Sequence, residues 1–171
     1  VSLFDELDNS AVLSPDGVYR YVLRREWADG QCVAFLMFNP STADASLDDP
    51  TIRKCRGFAR QWGYGRMVIV NLFTIRSTDP RKVSRTVDPV GPMGDYYTVE
   101  ALDDARELIC AWGCGSHMKG SLAKRPAKVL GYIRERHPYL PIQCLGRGAD
   151  GSPRHPLMLG YATKRVPYET C

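Results

Sequence analysis

CVAFLMFNPSTADASLDDPTIRKCRGFARQWGYGRMVIVNLF, residues 32–73, is the stretch whose reading decides the fold. The apolar run Val33–Phe38 stops at Asn39-Pro40-Ser41-Thr42. Such a run suits a central strand buried on both faces. After a loop of small polar residues, Asp48-Asp49-Pro50 opens a helix: either aspartate can cap it, and proline at the first position gives up no needed N–H. Ile52, Cys55, Phe58 or Ala59, and Trp62 recur at helical spacing as a buried stripe. Gly63-Tyr64-Gly65 ends the helix, and the strand Met67–Phe73 follows with Asn71 inside its polar end. Two parallel strands joined by a helical crossover bring Asn39 and Asn71 to the same edge of the sheet. Open α/β sheets bind their ligands at that edge.

Outward from this unit the alternation continues. Upstream, Ser14-Pro15-Asp16-Gly17 is a turn signal between strand-forming residues and predicts a hairpin. The acidic first ten residues read as loose or briefly helical. Downstream, residues 74–94 hold three prolines and two glycines and read as a long irregular connection, which in compact domains is functional or disordered. A helix is expected over 95–106, a strand over 108–112, a basic loop over 116–126, a helix over 127–136 and a strand over 141–145. A glycine-rich loop, 146–156, and a covering tail with one further helical turn complete the chain. Strands alternating with helices predict an α/β protein: a three-layer α/β/α sandwich with a central, mostly parallel four-stranded sheet, plus the N-terminal β-hairpin. The 171 residues are expected to form one domain.

Composition is that of an ordinary globular protein, with 44% hydrophobic and 25% charged residues and a net charge of +4. The charge is unevenly distributed. Residues 51–86 carry nine basic and one acidic side chain, and residues 116–171 ten and three, whereas the first fifty carry three and nine. Two basic blocks can converge into a phosphate-binding face, or they can be ordinary solvated helix faces. The six cysteines, at 32, 55, 110, 114, 144 and 171, show no C-x-x-C spacing, and three sit in apolar runs. They predict buried, reduced thiols in a cytoplasmic protein, with no metal site. No secretory leader and no membrane-spanning run is expected. The glycines match neither G-x-G-x-x-G nor a Walker loop, so no cofactor is expected.

The four loops that follow the core strands are FNPSTAD, NLFTIRSTD, WGCGSHMKGSLAKR and LGRGADGSPRHP. In a parallel sheet they share one end. That end gathers Asn39, Asn71, His155, the acids Asp44, Asp48 and Asp49, and many basic residues. An asparagine amide offers an acceptor and two donors, which suits the amide edge of a nucleobase. Phe38 and Phe73 are placed to stack on a base. Each residue also has a plainer reading: Asn39 as a turn former before proline, Asn71 as the closure of a strand end, His155 as a loop histidine, Asp48 and Asp49 as helix caps, and both phenylalanines as core. The conjunction at one edge is what favours a site.

NPSTAD, DDPTIRKCRGFARQWGYG, VNLF, DPVGP, AWG and PRHPLML together resemble the signature of DUF1643, a bacterial and phage domain family of unknown function, over about residues 20–160. The layout has a more distant resemblance to the uracil-DNA glycosylase superfamily, especially its mismatch-specific branch. There the first core strand ends in a motif centred on Asn-Pro, matched by Asn39-Pro40. The second ends in a base-reading asparagine, matched by Asn71. A late loop opens with His-Pro, matched by His155-Pro156. The motif here is FNPST rather than a glycine-flanked form, Leu157-Met158 stands where Ser-Pro is usual, and the cysteines do not match the family's iron–sulfur spacing. The resemblance implies a glycosylase-like hydrolase that acts on DNA or a nucleotide and flips a damaged or modified base into a pocket. It implies that Asn39 positions water, Asn71 reads the base, and His155 hydrogen-bonds the developing oxyanion. Asp44, Asp48 or Asp49 would activate the water, and loop cations such as Arg53, Arg76, Lys119, Arg147 and Arg154 would hold phosphates. The competing expectations are a nucleic-acid-binding module that keeps the pocket without catalysis, and a transferase or hydrolase of modified bases.

Overall fold

The computed structural model describes residues 8–41 and 43–169. The chain has the expected α/β class: among the described residues, a mixed seven-stranded sheet with four α-helices. The strands are β1 (Asp8–Leu13), β2 (Arg20–Glu26), β3 (Cys32–Met37), β4 (Arg66–Asn71), β5 (Ala105–Cys110), β6 (Ile142–Cys144) and β7 (Val166–Pro167), in the spatial order β1-β2-β4-β3-β5-β6-β7. β3 runs parallel to β4 and β5, and β5 parallel to β6. β2 adds antiparallel to β4, β1 to β2, and β7 to β6.

The sheet therefore has seven strands where four were expected. The hairpin does not stand apart, because β2 pairs through Leu23–Glu26 with β4 and extends the same sheet. Of the N-terminal segment, residues 1–7 lie outside the described residues; Asp8, Asn9 and Ser10 are strand, paired with Glu26, Arg25 and Arg24. In the tail, the expected helical turn is a short 3-10 turn, Pro156–Met158, and Val166–Pro167 pairs with the end of β6.

Helices α1 (Pro50–Gln61), α2 (Arg81–Arg85), α3 (Gly94–Glu100) and α4 (Arg125–Arg136) cover the sheet. Alternation along each strand splits the core in two. Val33, Phe35, Met37, Met67, Ile69 and Ile109 pack with Ile52, Cys55, Phe58 and Ala59 of α1. Ala34, Leu36, Val68, Val70, Leu108 and Cys110 pack with Val83, Leu102, Val129, Leu130 and Ile133. Each fully buried side chain of this size contributes about 1.5–3 kcal/mol. Helix α3 is shorter than expected and ends at Glu100, since Ala105 pairs with Cys32 and already belongs to β5.

The connection 74–94 is ordered by backbone bonds. The Thr74 and Ile75 amides donate to the Pro89 carbonyl, and Ser77 donates to Pro40 at 2.8 Å. The helix α2 interrupts it. Buried Arg125 holds α4 to the end of β4, its Nε donating to the Leu72 carbonyl at 2.6 Å while its guanidinium pairs with Asp95. These ties fix the loops at the C-terminal edge of the parallel strands.

Candidate functional site

A pocket of about 320 Å³ opens at that edge. Phe38, Asn39, Asp49, Asn71 and His155 line it, together with Arg20, Ser41, Ser77, Trp112, Cys114 and His117. Five residues singled out from sequence, drawn from two strand ends, the cap of α1 and one late loop, thus meet around one space. Its volume lies in the range of small-molecule sites.

Asn71 is the last residue of β4 and shares the α1 face with Met67 and Ile69 by strand alternation. It is 1% exposed, and neither its Oδ1 nor its Nδ2 has a hydrogen-bond partner among the described residues. Burying an amide without partners costs roughly 1–3 kcal/mol. A strand-closing role would have engaged one of these atoms with the backbone, and none is engaged. The residue lines the pocket with both amide atoms buried.

Asn39 is held differently. Its Nδ2 donates to the carbonyls of Pro40 at 3.0 Å, Ser77 at 2.9 Å and Ile75 at 3.4 Å. The amine is therefore spent on the 74–94 connection, and the carbonyl oxygen has no bond among the described residues. An asparagine fixed this way is an acceptor for a water or a ligand N–H.

Asp49 caps α1, accepting from the Ile52 amide at 2.8 Å, and its other oxygen accepts a short bond from Ser41 Oγ. The capping reading is correct for Asp49. Asp48 instead pairs with buried Arg25 at 2.8 Å. Asp44 does not line the pocket. Its carboxylate accepts from the Ser46 and Leu47 amides at 2.9 and 3.0 Å, closing its own loop, and these bonds hold its pKa below the usual carboxylate value.

His155 starts the 3-10 turn, and its Nδ1 accepts from the Leu157 amide at 3.2 Å. The neutral ring then carries its proton on Nε2. Burial pushes its pKa below the ordinary 6.5, against the opposing pull of Asp49. The ring seats closely on Gly113, where a Cβ would come within 3.1 Å of the His155 Cβ and where φ is +81°, so only glycine fits.

Phe38 lines the pocket, but Phe73 does not. Phe73 is 1% exposed and meets Phe38 edge-on at 5.2 Å, so the plainer core reading holds for it and its role is to fix the Phe38 ring. The cations expected to hold phosphates do not line the pocket. Arg53, Lys119, Arg147 and Arg154 are exposed, whereas Arg76 is half-buried. Arg53 donates to the Asp48 carbonyl, and Arg147 lies 4.6 Å over the Tyr168 ring and donates to the Glu169 carbonyl.

Sequence reasoning missed Arg20, Ser41, Ser77, Trp112, Cys114 and His117 as lining residues. Of the last three, Trp112 reads as the end of a strand, Cys114 as a thiol outside any site, and His117 as part of a basic loop rather than for its own side chain. Arg20 carried no signal, because it sits in a hairpin expected to lie apart from the sheet edge. Among the described residues no group of three or more His, Cys, Asp or Glu is placed to hold a metal ion. The five described cysteines are unpaired, four of them buried, and Cys171 lies outside the described residues. No helix among the described residues is long and apolar enough to cross a membrane.

The fold and site define an α/β protein with a polar pocket at the C-terminal edge of its parallel strands. The family model described as "Protein of unknown function (DUF1643)" matches residues 20–157, and the chain belongs to that family. No curated protein and no solved structure matches it significantly.

Proposed function

We propose that this protein is a nucleobase-processing enzyme that hydrolyses the N-glycosidic bond of a damaged or modified base, and that its finer architecture is the three-layer sandwich of the uracil-DNA glycosylase superfamily. The observation that carries the reading is the buried Asn71 amide, unpartnered among the described residues, in the lining of a pocket of base-accommodating size. A pyrimidine offers adjacent carbonyl and N–H groups, and one carboxamide satisfies both. Phe38 supplies an aromatic wall and His155 an Nε2–H donor.

In the reaction the bond from the sugar C1′ to the base nitrogen breaks, and the base leaves with the electron pair. Charge then collects on a base carbonyl oxygen, which the neutral His155 stabilises through Nε2–H. Water held by the Asn39 carbonyl oxygen adds to C1′ and loses a proton to solvent, and the released base is protonated in turn. Both oxygens of Asp49 are already hydrogen-bonded, so water positioning carries more of this mechanism than a general base does. The exposed arginines and Lys119 would take phosphates of the flanking strand.

A panel of oligonucleotides with uracil, hydroxymethyluracil, mismatched and other modified bases, read for abasic sites, tests the proposal. Base release that disappears in Asn39→Ala and Asn71→Ala supports it. Salt-dependent DNA binding that survives Asn39→Ala, without release of any base, would make the protein a binding module. Neither release nor binding at low salt would end both readings.

A further inference from the structure

The pocket contains a cation that the base-reading residues do not explain. Arg20 is 2% exposed and lines the pocket. Its Nη1 donates to the Ala43 carbonyl at 2.5 Å, and its Nε is buried with no partner among the described residues. No ion pair neutralises it within 4.0 Å among the described residues. Burial lowers its pKa to about 10, only partly offset by the more distant Asp49 and Asp44 carboxylates.

Arg25, on the same strand, shows what a purely structural arginine looks like in this fold. It is equally buried, and its Nε pairs with Asp48 at 2.8 Å while Nη1 and Nη2 donate to the carbonyls of Arg24 and Asp44. Both arginines pin the loop after Asn39. Only Arg20 keeps donor capacity in reserve.

A β-bulge puts it there. Val12 pairs with Val22 and Leu13 with Arg20, so β2 has one extra residue at Tyr21. Leu23 packs on the α1 face, yet Val22 and Tyr21 both pack in the opposite core, which reverses the alternation. Without the bulge Arg20 would project away from α1 and from Ala43. Bulges re-aim side chains in this way beside functional sites.

An uncompensated buried charge is costly, and an opposite charge within hydrogen-bond reach relieves the cost. We propose that Arg20 makes one wall of the pocket an oxyanion subsite, so that the ligand presents a carboxylate on the base ring or a phosphate on its sugar to the Arg20 Nε–H. The inference rests on the nucleobase reading of the pocket and narrows its substrates to acidic ones. A ring carboxylate fits a base flipped from a polymer. A terminal phosphate fits a free nucleotide.

Calorimetric titration of the whole chain at pH 7.5 and fixed ionic strength, with uracil, orotate, inorganic phosphate and deoxyuridine monophosphate, tests it. Orotate, or phosphate and the monophosphate, should bind about tenfold or more tighter than uracil, as expected of a charge-assisted hydrogen bond. A preference for orotate assigns the charge to the ring, and one for the phosphates to the sugar. Arg20→Met should abolish the preference, and Arg20→Lys should retain part of it. Equal affinity for uracil and every anion, no binding of any anion at millimolar concentration, or a preference that survives in folded Arg20→Met would overturn the inference. The wild-type titrations decide the first two outcomes even if the methionine variant fails to fold. Oxyanion preference without base release from any oligonucleotide or from the free monophosphate would leave this subsite standing and remove the glycosylase reading; base release without oxyanion preference would do the reverse.

Discussion

Glu107 and Asn71 are buried to nearly the same degree, at opposite ends of the parallel strands, and their surroundings differ completely. Near the strand beginnings, the Glu107 carboxylate accepts from Tyr64 Oη at 2.6 Å and Gln143 Nε2 at 2.8 Å and forms a short ion pair with Arg165. Burial and this neighbouring carboxylate push the Tyr64 pKa up to about 12. The network ties the turn before β4, the strands β5 and β6, and the tail together. At the strand ends, the Asn71 amide and the Nε of Arg20 have no hydrogen-bond partner among the described residues. A satisfied buried network holds a fold together, whereas an unsatisfied one stores a cost that a ligand relieves. Among the described residues other buried polar atoms also lack a hydrogen bond, Thr98 Oγ1 for one, but of these only Asn71 and Arg20 also line the pocket.

Breaking the satisfied end should have the largest effect on stability. Glu107→Ala leaves Arg165 and Tyr64 without their buried partner and is expected to cost about 3 kcal/mol in urea denaturation. Ligand binding at the far pocket should be unchanged. A cost below about 1 kcal/mol would show that the network is dispensable and the contrast empty.

The opposite pattern is expected at the other end. Asn71→Leu replaces an unpartnered amide with an apolar group of similar size. It should leave stability unchanged or raise it by about 1 kcal/mol, while weakening the ligand interaction about tenfold or more. Loss of stability in this variant, with binding intact, would place Asn71 on the structural side.

Asp49 belongs to both categories. Asp49→Ala should cost about 1 kcal/mol through the lost α1 cap. Asp49→Asn keeps an acceptor for the Ile52 amide and should recover most of that loss. Thermal denaturation of the two variants separates the cap from the charge.

The smallest effect is the pH dependence of His155. Its folded pKa lies below the ordinary 6.5, so the unfolded chain binds the proton more readily. Its contribution to stability is therefore fully present above 6.5 and falls away as pH drops through the folded value. Protonation of Nδ1 would also break its bond from the Leu157 amide. Substitution with glutamine should flatten the slope of stability against pH between neutrality and pH 5; an unchanged slope would mean that other groups carry it.

Much of the α/β core was legible because its signals are local. The run Val33–Phe38, the Asp49-Pro50 cap and the spacing of Ile52, Cys55 and Phe58 each specify their own geometry. The convergence of Asn39, Asn71 and His155 was legible for a topological reason: a parallel βαβ unit sends successive strand ends to one edge. Phe73 could not be told from Phe38, since two adjacent aromatics at a strand end look alike until the packing chooses which one faces the pocket. Asp44 and Asp48 were ambiguous among small polar loop residues, because short acidic side chains choose between backbone amides and cations only once the loop is folded.

The sequence alone therefore determined the class of fold, the edge that carries the site and several of its polar residues, because hydrophobic period, capping chemistry and strand order are written locally. Tertiary structure decided the seven-stranded extent of the sheet, the division of labour between Asn39 and Asn71, and the entry of Arg20. Each of these depends on pairing between distant segments: β2 against β4, the Asn39 amide against residues 75–77, and a bulge at Tyr21 that reverses one strand's alternation. Strand register is a property of two segments together, and a shift of one residue moves a side chain from one face of a sheet to the other.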